Sequence, residues 1–229
     1  MELTPNRTFS SFYIILDSIF LIVIAIYLIR TKRYVPFLVG ILGGLLYFIV
    51  DYGIFYALLH TRKVFGANPF FFLLWLSMSY GFTNMAWIWL WFSEKENRRE
   101  WSYLIIIAWF SIALISSGLG NSWKTISIER GTLSYHWVMA VFLIVGYSIL
   151  LFYNLSVKEQ SKKHDIKSIL LIGILTQLGW EAVLFITGIR RAGLTTLVVN
   201  SLLETNMGSP FIYLIYCAYK KYACKKSCE

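Results

Sequence analysis

Residues 36–59 read PFLVGILGGLLYFIVDYGIFYALL (Pro36 to Leu59), an unbroken apolar run whose single charge is Asp51. A helix rises ~1.5 Å per residue, so the run is long enough to cross the ~30 Å hydrocarbon core of a bilayer. Comparable runs recur, and spans are expected near Phe12 to Ile29, Pro36 to Leu59, Phe70 to Phe92, Trp101 to Ser117, Tyr135 to Tyr153, Ser168 to Thr187 and Leu197 to Tyr219. The expected architecture is an all-α integral membrane protein. It is a single domain over residues 1–229, with seven transmembrane helices and a basic cytoplasmic tail at 220–229. Composition points the same way: 229 residues, 58% hydrophobic and only 14% charged, carry more apolar surface than a soluble domain of this size buries. The connections are too short to hold a separate soluble domain.

The first run is not read as a cleaved signal peptide. Residues 1–11 lack a basic stretch, no small-residue cleavage site follows, and Asp17 interrupts the run. Fourteen of the 21 basic residues fall in the loops and tail on one side: Arg30, Lys32 and Arg33; Lys95, Arg98 and Arg99; Lys158, Lys162, Lys163 and Lys167; and the four lysines after Tyr219. The other side has Arg7, Arg62, Lys63, Lys124, Arg130, Arg190 and Arg191. By the positive-inside rule the N-terminus is outside and the C-terminus cytoplasmic. The membrane is the plasma membrane, or the endoplasmic reticulum in a eukaryotic host. The net charge of +9 is then explained by topology and by attraction to anionic lipid, with no nucleic-acid partner needed. Cys217, Cys224 and Cys228 lie at or beyond the inner end of the last span, where thiols stay reduced.

Four of the twelve acidic residues fall inside expected spans: Asp17, Asp51, Glu181 and Glu204. An ionised carboxylate in hydrocarbon costs several kcal/mol, so each acid is expected to be neutral, paired, or facing an internal polar space. The assumed topology puts all four at similar depth, on four helices. Three stripes at helical spacing carry acids toward neighbouring helices: Gly40, Gly44, Tyr47 and Asp51; Gly173, Gln177 and Glu181; and Asn200, Glu204 and Gly208. Ser77, Gly81 and Asn84 form a fourth stripe. Pro210 is expected to kink the last helix and leave the Asn206 carbonyl without its bond. Together these features imply a buried polar chamber open toward the outer leaflet. Its candidate lining is Asp51, Glu204, Glu181, Gln177, Asn84 and Asn200, with Trp180, Trp87, Tyr52, Tyr56 and Tyr80 as aromatic faces able to hold a cation. Arg62, Lys63, Arg190 and Arg191 are expected at its rim. The connection from Gly118 to His136, in which Ile126 and Ile128 alternate with polar residues, reads as a small hairpin or lid over the mouth.

Some chemistries are excluded. The last span has no lysine for a retinal Schiff base. His60, His136 and His164 are too dispersed to hold zinc, and nothing implies a metal or cofactor.

Asp51 in YFIVDYGIFY and Glu204 in LLETNMGSPFIY give a layout that resembles the small seven-helix membrane terpene cyclases of fungal meroterpenoid and indole diterpene pathways. Those enzymes have a carboxylate in helix two and another in helix seven. Their helix-two Trp-Glu pair is absent here, and Trp180-Glu181 stands in helix six instead. The resemblance implies protonation of an epoxide or alkene, with Asp51 and Glu204 as the catalytic acids. The residues alone favour a chamber that binds or transports a small cationic or amphipathic molecule. A third reading is an accessory membrane subunit whose polar seam serves only packing. Oligomeric state is not legible.

Overall fold

A computed structural model describes residues 5–131, 135–190 and 193–226; Arg191 and Cys228 lie outside them. The chain opens with strand β1 (Pro5–Ser10), whose last residue caps helix α1 (Ser11–Arg30) by accepting a bond from the Tyr13 amide. Helix α2 (Tyr34–Phe48) runs without a break into a π-helical segment, Ile49–Leu58. After strand β2 (Arg62–Phe65), Asn68 caps helix α3 (Pro69–Ser77), where Pro69 sits in the first turn and no amide is missed. A second π-helical turn, Met78–Phe82, joins α3 to α4 (Thr83–Ser93). There follow α5 (Arg98–Leu119), strand β3 (Thr125–Arg130), α6 (His136–Ser156), α7 (Ile166–Ile186), α8 (Leu194–Leu203) and α9 (Ser209–Lys226).

The molecule is mostly helical, and among the described residues five helices are long and apolar enough to cross a membrane. The distribution of polarity is the reverse of a water-soluble protein. Leu42, Ile144, Phe152 and Leu155 are exposed on the outside, while Ser77, Thr83, Asn84, Thr176 and Glu181 are fully buried within.

Glycine lets two helices touch along the predicted stripe. A β-carbon on Gly81 would stand 2.9 Å from the Gly44 Cα, and one on Gly43 would strike Met85. Helix α2 therefore packs backbone to backbone against the π-turn after α3, as small residues allow. Tyr80 of that turn reaches Asp51 in the π-helical segment that continues α2.

Three strands cover one end of the bundle. Their order is β1-β3-β2, with β3 antiparallel to both neighbours. The connection read as a small hairpin or lid thus supplies the central strand, and both of its partners come from more than 50 residues earlier in the chain. Ile126, Ile128 and Arg130 alternate onto one face and are buried, as the two-residue period of a strand requires. The turn after α7 joins this cap through the pairing of Arg190 with Arg7. At the opposite end, Arg33 closes on Glu94 at 2.5 and 3.0 Å, and Trp101 donates to the same carboxylate at 3.1 Å.

The last expected span is not continuous. The chain turns over residues 204–208 between α8 and α9, so the helical spacing from Asn200 through Glu204 does not extend to Gly208. Pro210 lies in the first turn of α9, where a missing N–H is harmless. The Asn206 carbonyl, expected to be left open, accepts a bond from the Ser209 amide at 3.2 Å.

Candidate functional site

The strand cap delivers four arginines into the bundle. Arg62 and Arg130 are directly opposite each other in the β2–β3 register, and Arg7 and Arg190 are opposite in the bridge between β1 and the turn after α7. Like charges facing across strands repel, and each pair here is reconciled by one carboxylate beneath it. Arg62 donates to Asp51 Oδ1 through Nε at 3.0 Å and Nη2 at 2.5 Å, while Arg130 Nη2 stands 3.9 Å from the same oxygen. Tyr80 donates to Asp51 Oδ2 at 2.5 Å. Arg7 donates to Glu181 Oε1 at 2.8 Å, and Arg190 to Glu181 Oε2. All four guanidinium groups are buried.

Burial and one another's charge work against these cations. Arg7 is drawn down to about 10, by burial first and then by Arg130, with Glu181 opposing. Arg62 is lowered by burial and by Arg130. Arg130 is shifted the other way: burial opposes its charge, but Asp51, Glu204, Tyr80 and Glu181 outweigh it. Arg130 is thus the cation at the electrostatic centre of the acids.

Gln177 ties the Glu181 clamp to Glu204. Its amide donates to Glu181 at 3.1 Å and to Glu204 Oε2 at 2.8 Å, while its carbonyl accepts from Thr205 at 2.6 Å. Asn84 in turn donates to Thr205 at 3.3 Å. Glu204 differs from the other two acids. Its Oε1 is buried without a hydrogen-bond partner among the described residues, and so is Arg62 Nη1. Both residues, with Asp51, Tyr80 and Arg130, line a cavity of about 50 Å³. Val50, Met139 and Met207 are half-buried and continue the cavity wall toward the outside of the bundle. The space therefore has a polar floor and an apolar mouth.

Of the sequence-expected residues, Asp51 and Tyr80 bond each other, Glu181, Gln177, Glu204 and Asn84 are joined through Gln177 and Thr205, and Glu204 meets Asp51 and Tyr80 at the cavity. Asn200 is buried in α8 with Oδ1 unpartnered. Trp180 sits beside the network, edge-on to Trp109 at 5.1 Å and 6.5 Å from Tyr80. Three expected aromatic faces are elsewhere. Trp87 is fully buried against α5, donating to Ser102 at 3.1 Å. Tyr52 and Tyr56 stack on each other at 5.3 Å beside Phe48 and Phe70, away from the cavity that Asp51 lines. Asp17 also stands apart. It is fully buried beside Ser79 and Trp75, which face its carboxylate without closing a well-formed hydrogen bond.

Arg62 and Arg190, expected at a solvated rim, are instead the counter-ions of the acids. Arg7, Arg130, Tyr47, Thr205 and Met139 were not anticipated. With Asp51 and Glu181 each held by two guanidinium groups, the attraction for a simple cation on which the acidic-chamber expectation rested is largely cancelled. Among the described residues no group of three His, Cys, Asp or Glu side chains converges to hold a metal. Compared with protein-family models, curated proteins and solved structures, the chain matches none.

Proposed function

We propose that this chain is a seven-pass membrane protein that holds the polar head of an amphipathic molecule in the cavity beneath its strand cap. Several features support seven passes with the cap outside. The N-terminal strand, β2, β3 and the turn after α7 gather at one end, as they do if successive segments alternate in direction. The basic residues there are mostly drawn inward as ion pairs, leaving Lys63 and Lys124 exposed, while the opposite end carries an excess of solvated lysines. Pro69–Ser93 and Leu194–Lys226, interrupted by a π-turn and by the turn at 204–208, are the remaining passes. Irregular backbone is tolerated at membrane depth where it lines a protein cavity. In this setting Asp51, Glu181 and Glu204 are intramembrane carboxylates.

One observation carries the binding assignment: Arg62 and Glu204 line the same cavity, and each has one buried side-chain atom, Nη1 and Oε1, without a partner among the described residues. A head that accepts from the guanidinium and donates to the carboxylate satisfies both at once; a hydroxyl, a carboxamide or a zwitterion does so. The apolar mouth at Val50, Met139 and Met207 suits the attached tail, in keeping with small-molecule sites that are apolar with a few placed polar groups. The test compares wild type with Glu204→Gln at matched expression, profiling lipids retained by the purified protein and metabolites in cells and medium. The expected result is an amphiphile that co-purifies with wild type and is depleted in the variant while unfolding is unchanged. Redistribution of that compound between cells and medium, lost in the variant, extends the function to transport. Equal retention in both proteins refutes the assignment and favours an accessory subunit whose seam is packing.

Glu204 also supports a second reading, that of a membrane-embedded cyclase. Glu204 lines a cavity with Tyr47, Phe55 and Tyr80, an arrangement suited to a general acid beneath aromatic faces that guide a cation. Asp51 does not suit the acid's role, because both of its oxygens are already taken, Oδ1 by Arg62 and Oδ2 by Tyr80. An isomer of an existing prenylated metabolite, present with wild type and absent with Glu204→Gln, selects this reading.

A further inference from the structure

The end of the bundle opposite the strand cap holds a second cavity, of about 200 Å³, between α4, α5, α7 and α9. Three cations line it: Lys95, Arg98 and Lys220. Neither lysine forms an ion pair among the described residues. Arg98 is fixed in place, lying 5.0 Å over the Trp91 ring with its Nε donating to the Trp91 carbonyl at 2.6 Å. The one acid, Asp165, is turned back to its own helix and accepts from the Ser168 amide at 3.1 Å as the cap of α7. That leaves a net positive cavity at the level where two long helices begin, α5 at Arg98 and α7 at Ile166. The start of α5 adds positive potential through its helix dipole, whereas that of α7 is capped by Asp165. Phe92, Tyr213 and Tyr216 supply an apolar wall.

We infer that this cavity binds a phosphate-bearing anion. The apolar wall favours the headgroup of an anionic lipid from the adjoining leaflet, and free phosphate offers the same chemistry. Basic pockets between membrane helices take such headgroups by charge, with the chain of the lipid left in the bilayer. The inference stands on the cavity alone and does not require the assignment made for the other end.

Cys217 also lines this cavity and is half-buried, so its reactivity reports occupancy. The chain has three cysteines, and Cys224→Ser with Cys228→Ser leaves Cys217 as the sole thiol. The experiment measures the rate of its modification by a maleimide in full-length protein in phosphatidylcholine nanodiscs. Three conditions are compared: no addition, part of the lipid replaced by phosphatidic acid, and inorganic phosphate added. Slowing by phosphatidic acid is expected, and the amount needed for half-protection should rise roughly five-fold for each of Lys95→Gln and Lys220→Gln, about the value of one basic residue at an anionic surface. Each variant is referenced to its own rate without addition, since Lys220 itself influences the thiol. Lys158→Gln with Lys162→Gln, at the same end but outside the cavity, should leave protection intact. Protection by phosphatidic acid alone identifies a lipid headgroup, and protection by inorganic phosphate as well identifies a soluble anion. The inference is overturned if neither protects, if protection survives loss of Lys95 and Lys220, or if the outlying lysines matter as much.

Discussion

Glu181 offers a sharp test of the arginine clamps. Glu181→Gln keeps the shape of the side chain and its contact with Gln177, but leaves Arg7 and Arg190, only 2% and 5% exposed, without their counter-ion. Removing one partner of a buried ion pair destabilises by about 3–5 kcal/mol, because the stranded charge stays desolvated. Arg190→Gln is the instructive control. It removes one donor, yet Glu181 keeps Arg7 at 2.8 Å, so the loss is that of one charged hydrogen bond, about 1.5–3 kcal/mol. Equilibrium unfolding in mixed micelles, followed by tryptophan fluorescence, measures both. Trp180 adjoins Glu181 in sequence and stacks edge-on with Trp109, so the signal is local as well as global. The expected order is wild type, then Arg190→Gln, then Glu181→Gln as the least stable. If Glu181→Gln costs less than about 1 kcal/mol, or Arg190→Gln costs as much, the carboxylate is not what holds the two guanidinium groups in the bundle.

Gly81→Ala should cost about 1–3 kcal/mol in the same assay, since its β-carbon would meet the Gly44 Cα at 2.9 Å and the Gly43 carbonyl oxygen at 3.2 Å, which are backbone and cannot turn aside. Gly53→Ala, with nothing within 4 Å of its added carbon, should be neutral or stabilise by about 0.5 kcal/mol through reduced chain freedom; a loss comparable to Gly81→Ala would refute the packing account. The Arg33–Glu94 pair predicts an acid dependence: burial works against the Glu94 charge, but bonds from Arg33, Trp101 and Asn97 outweigh it and hold the carboxyl below its ordinary 4.5. A lowered folded value means the pair's contribution is complete above that ordinary value and lost as pH falls through the folded one. With side chains 25% and 20% exposed at the bundle end, solvent screening limits the contribution to about 1 kcal/mol. The stability gap between wild type and Glu94→Gln should therefore narrow on going from about pH 7 to about pH 3, and a gap that widens would reverse the sign of the argument.

One trace of the clamps is present in the sequence. Of the seven basic residues that the sequence assigns to one side of the membrane, Arg7, Arg62, Arg130, Arg190 and Arg191 are arginines, whereas ten of the fourteen assigned to the other are lysines. Arginine suits buried pairing, because its planar fork meets a carboxylate with several donors, while lysine suits a solvated surface. The bias marks arginines of the strand cap as candidates for buried pairs. It does not say which acid each one meets.

Helical, membrane-compatible character followed from the sequence alone, because long apolar runs and their length are local properties of the chain. The same holds for the glycine stripe of α2 and the Gln177–Glu181 face of α7, where spacing along one helix decides which side chains share a face. The pairing of Arg7 with Glu181 spans 174 positions, and no period connects residues so far apart. It was decided by strand register in the cap, which aims Arg7 and Arg190 at one acid and Arg62 and Arg130 at another. The break of the last span was likewise tertiary in effect. Pro210 reads as a kink when the helix is assumed to continue through it, but it is an ordinary first-turn residue once the chain turns at 204–208 and a new helix begins. Glu204 opens that turn and, alone among the three gathered acids, has an oxygen without a hydrogen-bond partner among the described residues.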